Sequence, residues 1–236
     1  MIAPPKEIIR EHSPQQMTDR AASWLLDAIV NAVRMRGHCC LALAGGSTPR
    51  SVYERLASPP LSSVLPASKL QVYFGDERCV PPNDPQSNYA MAWDAWLGHG
   101  ALRADQIHRI EGEREDRNSA AQDYERTLPA HLDILLLGVG NDGHTASLFP
   151  GAEALREHSR KVVVSRSPLA PHDRITITPP VIEAAHAVMV LAVGSDKAAA
   201  VAAALAGPED LDKVPAQLAR PGTWILDTGA ASLLPV

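Results

Sequence analysis

Apolar positions along the chain alternate between a helical and a strand-like spacing. Between residues 19 and 36, apolar side chains recur three and four positions apart, which predicts an amphipathic helix that stops at Gly37. The mainly apolar runs at 39–44, 70–74 and 132–137 are instead typical of strands that are covered on both faces. The first part of the chain therefore predicts helices and buried strands in turn.

The same alternation continues through the rest of the chain. Further strands are predicted at 161–165, 174–178, 187–193 and 223–227. Further helices are predicted from a cap at Ser47 or Thr48 to about residue 56, at 89–97, at 117–128, and at 196–206 with Ser195 as its cap; 58–68 is predicted to be a loop. This order predicts an α/β fold, a single domain over residues 1–236 whose one mostly parallel, Rossmann-like sheet is flanked by helices.

Composition narrows the classes of protein that fit this pattern. The 236 residues carry a net charge of −5, which argues against a nucleic-acid partner held by bulk electrostatics. The amino terminus lacks the apolar segment of a secretory signal, and no apolar run approaches the roughly 20 residues of a membrane helix. Cys39, Cys40 and Cys79 form neither a disulfide framework nor a metal-binding spacing, and the first two are expected to be buried in a strand. We therefore expect a cytoplasmic protein that does not associate with membranes.

Four polar or glycine-rich segments directly follow predicted strands, at 45–50, 75–78, 138–144 and 194–197. The carboxyl ends of parallel strands lie along one edge of a sheet, where α/β proteins bind their ligands. We therefore expect these segments to meet at one site.

The segment 45–50, Gly-Gly-Ser-Thr-Pro-Arg, has the composition of an anion-binding loop. Its glycines allow the backbone to approach a ligand, and the helix that follows presents free N–H groups and the positive end of its dipole. A phosphate fits such a loop, although an ordinary tight turn before a well-capped helix has the same features.

Two cations at other strand ends are candidates for the same anion. Lys197 lies in the first turn of the predicted helix 196–206, where a positive charge opposes the helix dipole unless it faces an anion. Arg174 lies at the mouth of the predicted strand 174–178. The alternative for both Lys197 and Arg174 is a solvated side chain on the protein surface.

The segment 138–144, Gly-Val-Gly-Asn-Asp-Gly-His, contains the glycine spacing of dinucleotide-binding loops. Such a loop opens a long helix, whereas Pro150 and Gly151 interrupt this chain soon after His144, so a nicotinamide site is not predicted. The glycines are better suited to a tight loop that presents Asp142 and His144. Histidine transfers protons near neutral pH and a carboxylate orients it, although most histidines are structural or solvent-exposed.

The segment 75–78, Gly-Asp-Glu-Arg, places charged side chains at another strand end. Asp76 and Arg78 are therefore candidates for the pocket, and a solvated turn is the alternative. The chain contains neither the Gly-x-Ser-x-Gly elbow of serine hydrolases nor a His-Glu-x-x-His motif, so neither a nucleophilic serine nor a catalytic metal is predicted.

Taken in order, these segments resemble the 6-phosphogluconolactonase family. The matching motifs are 43–49, 75–78 with Val80-Pro81 and Ser87-Asn88, 138–151, Arg174-Ile175-Thr176, and Gly194-Ser195-Asp196-Lys197. The resemblance implies the fold of glucosamine-6-phosphate deaminases and no cofactor. It also implies hydrolysis of 6-phosphoglucono-1,5-lactone to 6-phosphogluconate in the oxidative pentose phosphate pathway.

The resemblance further implies a role for each candidate residue. His144 is the base that activates water, and Asp142 or Asp76 orients it, while Arg78 or backbone N–H groups stabilise the oxyanion. The phosphorylated sugar lactone is bound by the other candidates, which are Gly45, Gly46, Ser47, Thr48, Arg50, Asn88, Arg174 and Lys197. The expected assembly is a monomer or a small homo-oligomer. A deaminase-isomerase on the same fold and a non-catalytic sugar-phosphate-binding regulator are the alternatives.

Overall fold

The computed structural model describes residues 2–235, in which nine strands divide between two sheets. The strands are β1 Glu7–Glu11, β2 Cys39–Leu43, β3 Leu70–Phe74, β4 Asp76–Arg78, β5 Ile134–Gly138, β6 Val162–Arg166, β7 Asp173–Ile177, β8 Val188–Ala192 and β9 Thr223–Asp227. Six of them form a parallel sheet in the order β1-β9-β8-β5-β2-β3. The predicted α/β class with a mostly parallel sheet is confirmed.

The other three strands form a small antiparallel sheet in the order β4-β7-β6. The prediction of a single sheet is therefore wrong. Residues 167–172, which join β6 to β7, are long enough for a hairpin but too short for the crossover that parallel neighbours need. β4 was not predicted, because its three residues are all charged.

Gly75 connects the two sheets. Its N–H donates to the carbonyl of Leu43 in the parallel sheet, and its own carbonyl accepts from the N–H of Ile177 in the small sheet, both at 2.9 Å. The small sheet is consequently fixed at the carboxyl edge of the large one. The side chains of β4 and β7 are thereby brought to the edge where the predicted site lies.

Seven helices complete the described part of the chain. They are α1 Pro14–Arg36, α2 Ser47–Leu56, α3 Leu61–Val64, α4 Asn88–Ala95, α5 Arg117–Thr127, α6 Pro179–Ala184 and α7 Ala198–Leu205. The stop of α1 at Gly37 is confirmed, but this helix begins earlier than residue 19, because the hydroxyl of Ser13 caps it and Pro14 fits its first position. The short helix α3 replaces part of the loop predicted at 58–68.

Two predicted helix caps are wrong. Gly46 is the N-cap of α2, and neither Ser47 nor Thr48 caps this helix through its side chain. A short 3₁₀ turn over residues 195–197 precedes α7, so that Lys197 rather than Ser195 occupies its N-cap.

The edge strand β1 was also missed from the sequence. Three of its five residues, Glu7, Arg10 and Glu11, are charged, and it pairs with β9 alone at the border of the sheet. Charged side chains are typical of such edges because they discourage pairing with another chain.

The central strands are buried on both faces, as their apolar runs predict. All five residues of β2 are buried, including Cys39 and Cys40, and burial raises the pKa of the Cys40 thiol to about 11. Among residues 2–235, no helix is long and apolar enough to cross a membrane.

Candidate active site

Four neighbouring strands of the parallel sheet, β8, β5, β2 and β3, end at a cavity of about 740 Å³. Residues of the small sheet form another part of its wall. The candidate residues that line the cavity are Gly45, Gly46, Asp76, Arg78, Asn88, Asp142, His144, Arg174 and Lys197. The segments that follow these four strands therefore meet at one place, as their positions in the sequence predict.

His144 and Asp142 form a hydrogen-bonded pair in the cavity wall. Nδ1 of the imidazole lies 2.5 Å from Oδ1 of Asp142, and this oxygen also accepts from the backbone N–H of His144 at 3.1 Å. Burial alone would raise the pKa of the Asp142 carboxyl, but the hydrogen bonds and the charge of His144 lower it overall. A carboxylate beside Nδ1 favours the tautomer with its hydrogen on that atom, which leaves Nε2 able to accept a proton.

The loop that carries this pair leaves no space for a side chain at Gly140. A Cβ atom at this position would lie 2.0 Å from Nδ1 of His144 and 2.6 Å from Oδ1 of Asp142. The loop is closed by a hydrogen bond of 2.8 Å from the N–H of Gly140 to the carbonyl of His144. Contrary to a dinucleotide-binding loop, no helix opens at Gly143. Gly140 thus allows the close approach of the imidazole and carboxylate to the backbone.

Asp76 also lines the cavity, but other side chains hold it. Its Oδ2 accepts from Ser147 Oγ at 2.5 Å, and its Oδ1 accepts from Nδ2 of Asn88 at 3.2 Å. The sequence left both Asp142 and Asp76 open as partners of the imidazole. In the structure, Asp142 is the carboxylate that contacts His144.

Ser147 and Phe149 are cavity residues to which the sequence assigned no role, although both belong to the motif 138–151. Ser147 is buried; its N–H donates to Thr176 Oγ1 at 3.2 Å, and its carbonyl accepts from Ser165 Oγ at 2.7 Å. The ring of Phe149 lies 4.7 Å from that of His144. Together they fix the loop and one face of the imidazole.

Glu77 is a third residue with a role that the sequence did not predict. Its buried carboxylate accepts from the backbone N–H groups of Asn88 and Tyr89 at 2.7 and 2.8 Å and from the hydroxyl of Ser87 at 3.0 Å. Burial raises the pKa of this carboxyl, although these hydrogen bonds oppose the shift. Glu77 thereby satisfies the free N–H groups at the start of α4 and fixes Asn88 in the wall.

Two arginines face each other across the small sheet. Arg78 on β4 and Arg174 on β7 are directly opposite in the antiparallel register, an arrangement in which like charges destabilise each other. Burial and the charge of Arg78 lower the pKa of Arg174, although an arginine stays protonated at neutral pH. An anion bound between or beside the two guanidinium groups would offset the repulsion between them.

Lys197 supplies a third cation at the end of β8. Its ammonium group makes no hydrogen bond or ion pair with any other residue in the described part of the chain. A cation at the N-cap of a helix opposes the helix dipole, so an anionic ligand is a better partner for it than solvent alone.

Three candidates of the first loop lie outside the cavity wall. Ser47 and Thr48 occupy the first two positions of α2, where their backbone N–H groups lack acceptors within the helix. Arg50 is exposed and forms an ion pair of 2.9 Å with Glu54 on the surface of the same helix. The structure therefore does not bring the Arg50 side chain to the site.

Potential metal ligands come together elsewhere in the molecule. Among residues 2–235, side-chain atoms of His38, Cys40 and Asp133 lie within 4.8 Å of one another, at the amino end of β2 and away from the cavity. Asp133 already pairs with Arg36 and accepts from the backbone N–H of Cys40 at 2.7 Å. We therefore assign no metal to this group.

The chain is similar to known proteins over most of its length. Residues 12–227 match the family described as glucosamine-6-phosphate isomerases/6-phosphogluconolactonase, and the chain belongs to this family. The 6-phosphogluconolactonase of Nostoc sp. is 36% identical over 231 residues, which cover 92% of this chain and 93% of that protein. The solved 6-phosphogluconolactonase from Trypanosoma cruzi is 31% identical with a TM-score of 0.87, covering 100% of this chain and 99% of that one.

A second solved structure supports the predicted fold. A monomeric glucosamine-6-phosphate deaminase superimposes with a TM-score of 0.84 at 23% identity, covering 96% of this chain and 99% of that chain. This likeness confirms that the chain shares its fold with glucosamine-6-phosphate deaminases.

Proposed function

We propose that this protein hydrolyses 6-phosphoglucono-1,5-lactone to 6-phosphogluconate in the oxidative pentose phosphate pathway. The observation that carries the proposal is the Asp142–His144 pair, which lies in the wall of a cavity that also contains three cations. The pair supplies a general base, and the cations suit a phosphorylated substrate. The names of its relatives support the same activity.

In the proposed reaction, Nε2 of His144 takes a proton from water while the water oxygen forms a bond to the lactone carbonyl carbon. Asp142 keeps Nδ1 protonated and stabilises the imidazolium that results. The guanidinium of Arg78 stabilises the negative charge that develops on the carbonyl oxygen. The bond from this carbon to the ring oxygen then breaks, and the imidazolium returns its proton to that oxygen.

The phosphate is proposed to bind between the first loop and two of the cations. Gly45, Gly46 and the free N–H groups of Ser47 and Thr48 form one side, and Arg174 and Lys197 form the other. Binding the distant phosphate positions the carbonyl against the base, which is the part of catalysis that proximity supplies. Arg50 has no role in this arrangement, because it pairs with Glu54.

The proposal also covers the domain organisation, the location and the assembly of the protein. We propose that residues 1–236 act as one domain, since Gly75 ties the small sheet to the large one within the site. The protein is proposed to act in the cytoplasm as a monomer or small homo-oligomer, with a small phosphorylated lactone rather than nucleic acid as its partner.

Acid release from freshly prepared 6-phosphoglucono-1,5-lactone, measured against the spontaneous rate, tests the proposed activity. We expect acceleration of lactone loss and no ammonia from glucosamine 6-phosphate in a parallel assay. Ammonia release would identify a deaminase instead. Binding of 6-phosphogluconate without acceleration would identify a non-catalytic binder.

Replacing Lys197 by alanine is expected to raise the KM for the phosphorylated lactone by roughly 10- to 100-fold, the usual effect of losing a hydrogen bond to a charged group. Hydrolysis of the phosphate-free glucono-1,5-lactone should be unaffected, because its binding does not use the ammonium group. Lys213→Ala is the control, since the Lys213 side chain is exposed, pairs with Asp210 and does not line the cavity. An equal effect of Lys197→Ala on both lactones would contradict a phosphate contact.

A further inference from the structure

The side-chain amide of Asn88 has a fixed orientation. Its Nδ2 donates to the backbone carbonyl of Asp76 at 2.9 Å and to Oδ1 of the same residue at 3.2 Å. Both partners are acceptors, so exchanging the amide nitrogen and oxygen would set three acceptors against one another. The hydrogen-bond network therefore determines which end of the amide faces Asp76.

The surroundings of Asn88 hold it firmly in this position. Its backbone N–H donates to Glu77 at 2.7 Å, and a Cβ atom on Gly45 would lie 1.9 Å from the Asn88 amide oxygen. Asn88 is 3% exposed and belongs to the cavity wall. The amide thus occupies the space beside Gly45 and cannot rotate without breaking its contacts.

The amide oxygen, in contrast, is left without a donor. No residue between 2 and 235 donates a hydrogen bond to Oδ1 of Asn88. An oxygen that is this restricted and has no protein partner is an acceptor prepared for a ligand. The group that suits it is a neutral hydroxyl, because Asp76 on its other side disfavours an anion such as phosphate.

We infer that Asn88 determines specificity by accepting a hydrogen bond from one ring hydroxyl of the sugar lactone. This inference rests on the proposed lactone hydrolysis and adds to it a residue that recognises a hydroxyl group of the substrate. The lactone ring carries hydroxyls at C2, C3 and C4, so a substrate that lacks the one bound by Asn88 leaves the oxygen unpaired. A site built to bind a hydroxyl discriminates strongly against an analogue without it.

The test compares the phosphorylated lactone with its 2-deoxy, 3-deoxy and 4-deoxy forms. For the wild-type protein, we expect kcat/KM for one of the three to be about 10- to 100-fold below that of the parent. In Asn88→Ala, which also removes the hydrogen bonds from the amide to Asp76, all four rates should fall, but the parent should fall by about this factor more than that deoxy lactone, so that the two substrates become nearly equal.

Ser147→Ala is the matched control, because it also removes one hydrogen bond to Asp76 but leaves the amide of Asn88 in place. It should lower the rates of all four lactones by a similar factor and preserve the discrimination. If Asn88→Ala behaved in the same way, Asn88 would act only by holding Asp76, and the inference would be wrong. It would also be wrong if the wild type hydrolysed all four lactones equally well. Failure of the wild type to hydrolyse the parent lactone would instead reject the proposed function.

Discussion

Replacing His144 by asparagine is expected to lower the catalysed rate of lactone hydrolysis by about 10²- to 10⁴-fold, the range that general-base catalysis supplies. Asparagine is polar and smaller than histidine, so it fits the loop, but it takes up no proton at neutral pH. Acid release above the spontaneous rate measures the loss. Binding of 6-phosphogluconate, measured by calorimetry, should persist, because Arg174, Lys197 and the loop at Gly45 are unchanged.

The control for this variant is His158→Asn. His158 is exposed and does not line the cavity, so its replacement should leave both turnover and product binding at the wild-type level. Normal turnover by His144→Asn would show that another group activates the water. A parallel loss of binding would instead show that the imidazole holds the ligand rather than transferring a proton.

The place of the site could be predicted from the sequence because it depends on local signals. Each of the segments at 45–46, 75–78 and 138–144 follows an apolar run that is recognisable without tertiary information. Once these runs are taken as parallel strands, their carboxyl ends must lie on one edge of the sheet. The meeting of Gly45, Asp76 and His144 then follows from topology alone, without any knowledge of the contacts between them.

The partners of the site residues could not be predicted, since they depend on contacts between distant parts of the chain. Asp76 accepts a hydrogen bond from Ser147, 71 residues further along, whereas Asp142 pairs with the imidazole. The small sheet depends on the pairing of β4 with β7, which an all-charged segment such as Asp76–Arg78 does not reveal.

One error was open to correction from the sequence itself. Arg50 and Glu54 are four residues apart in a predicted helix, a spacing at which opposite charges pair on the helix surface. The assignment of Arg50 to the phosphate ignored this nearer partner. Glu77 shows the opposite case, because its role required knowing that α4 begins at Asn88 and points its free N–H groups at that carboxylate.

Replacing Gly140 by alanine is expected to lower kcat by about 10²-fold, the cost of displacing a catalytic group by roughly 1 Å. The added methyl group would lie 2.0 Å from Nδ1 of His144 and 2.6 Å from Oδ1 of Asp142, so the imidazole and the carboxylate have to leave their present positions. The backbone at Gly140 does not have a positive φ, and alanine therefore introduces no conformational strain of its own there. Lactone hydrolysis should fall while binding of 6-phosphogluconate and the circular dichroism spectrum stay as in the wild type.

Gly138→Ala is the control for this variant, because it also replaces a glycine near His144 but adds no methyl group against the imidazole. Gly138 lies only two residues away, also without a positive φ, and a Cβ atom there would meet no heavy atom within 4 Å. Gly138 also lines the cavity, but its added methyl group leaves the imidazole in place, so Gly138→Ala should turn over faster than Gly140→Ala. If Gly140→Ala were equally active, the position of His144 against Asp142 would not control the rate, and the base would have to be sought elsewhere in the cavity. If both variants lost activity equally, bulk added to this part of the cavity wall, rather than the place of the imidazole, would limit the reaction.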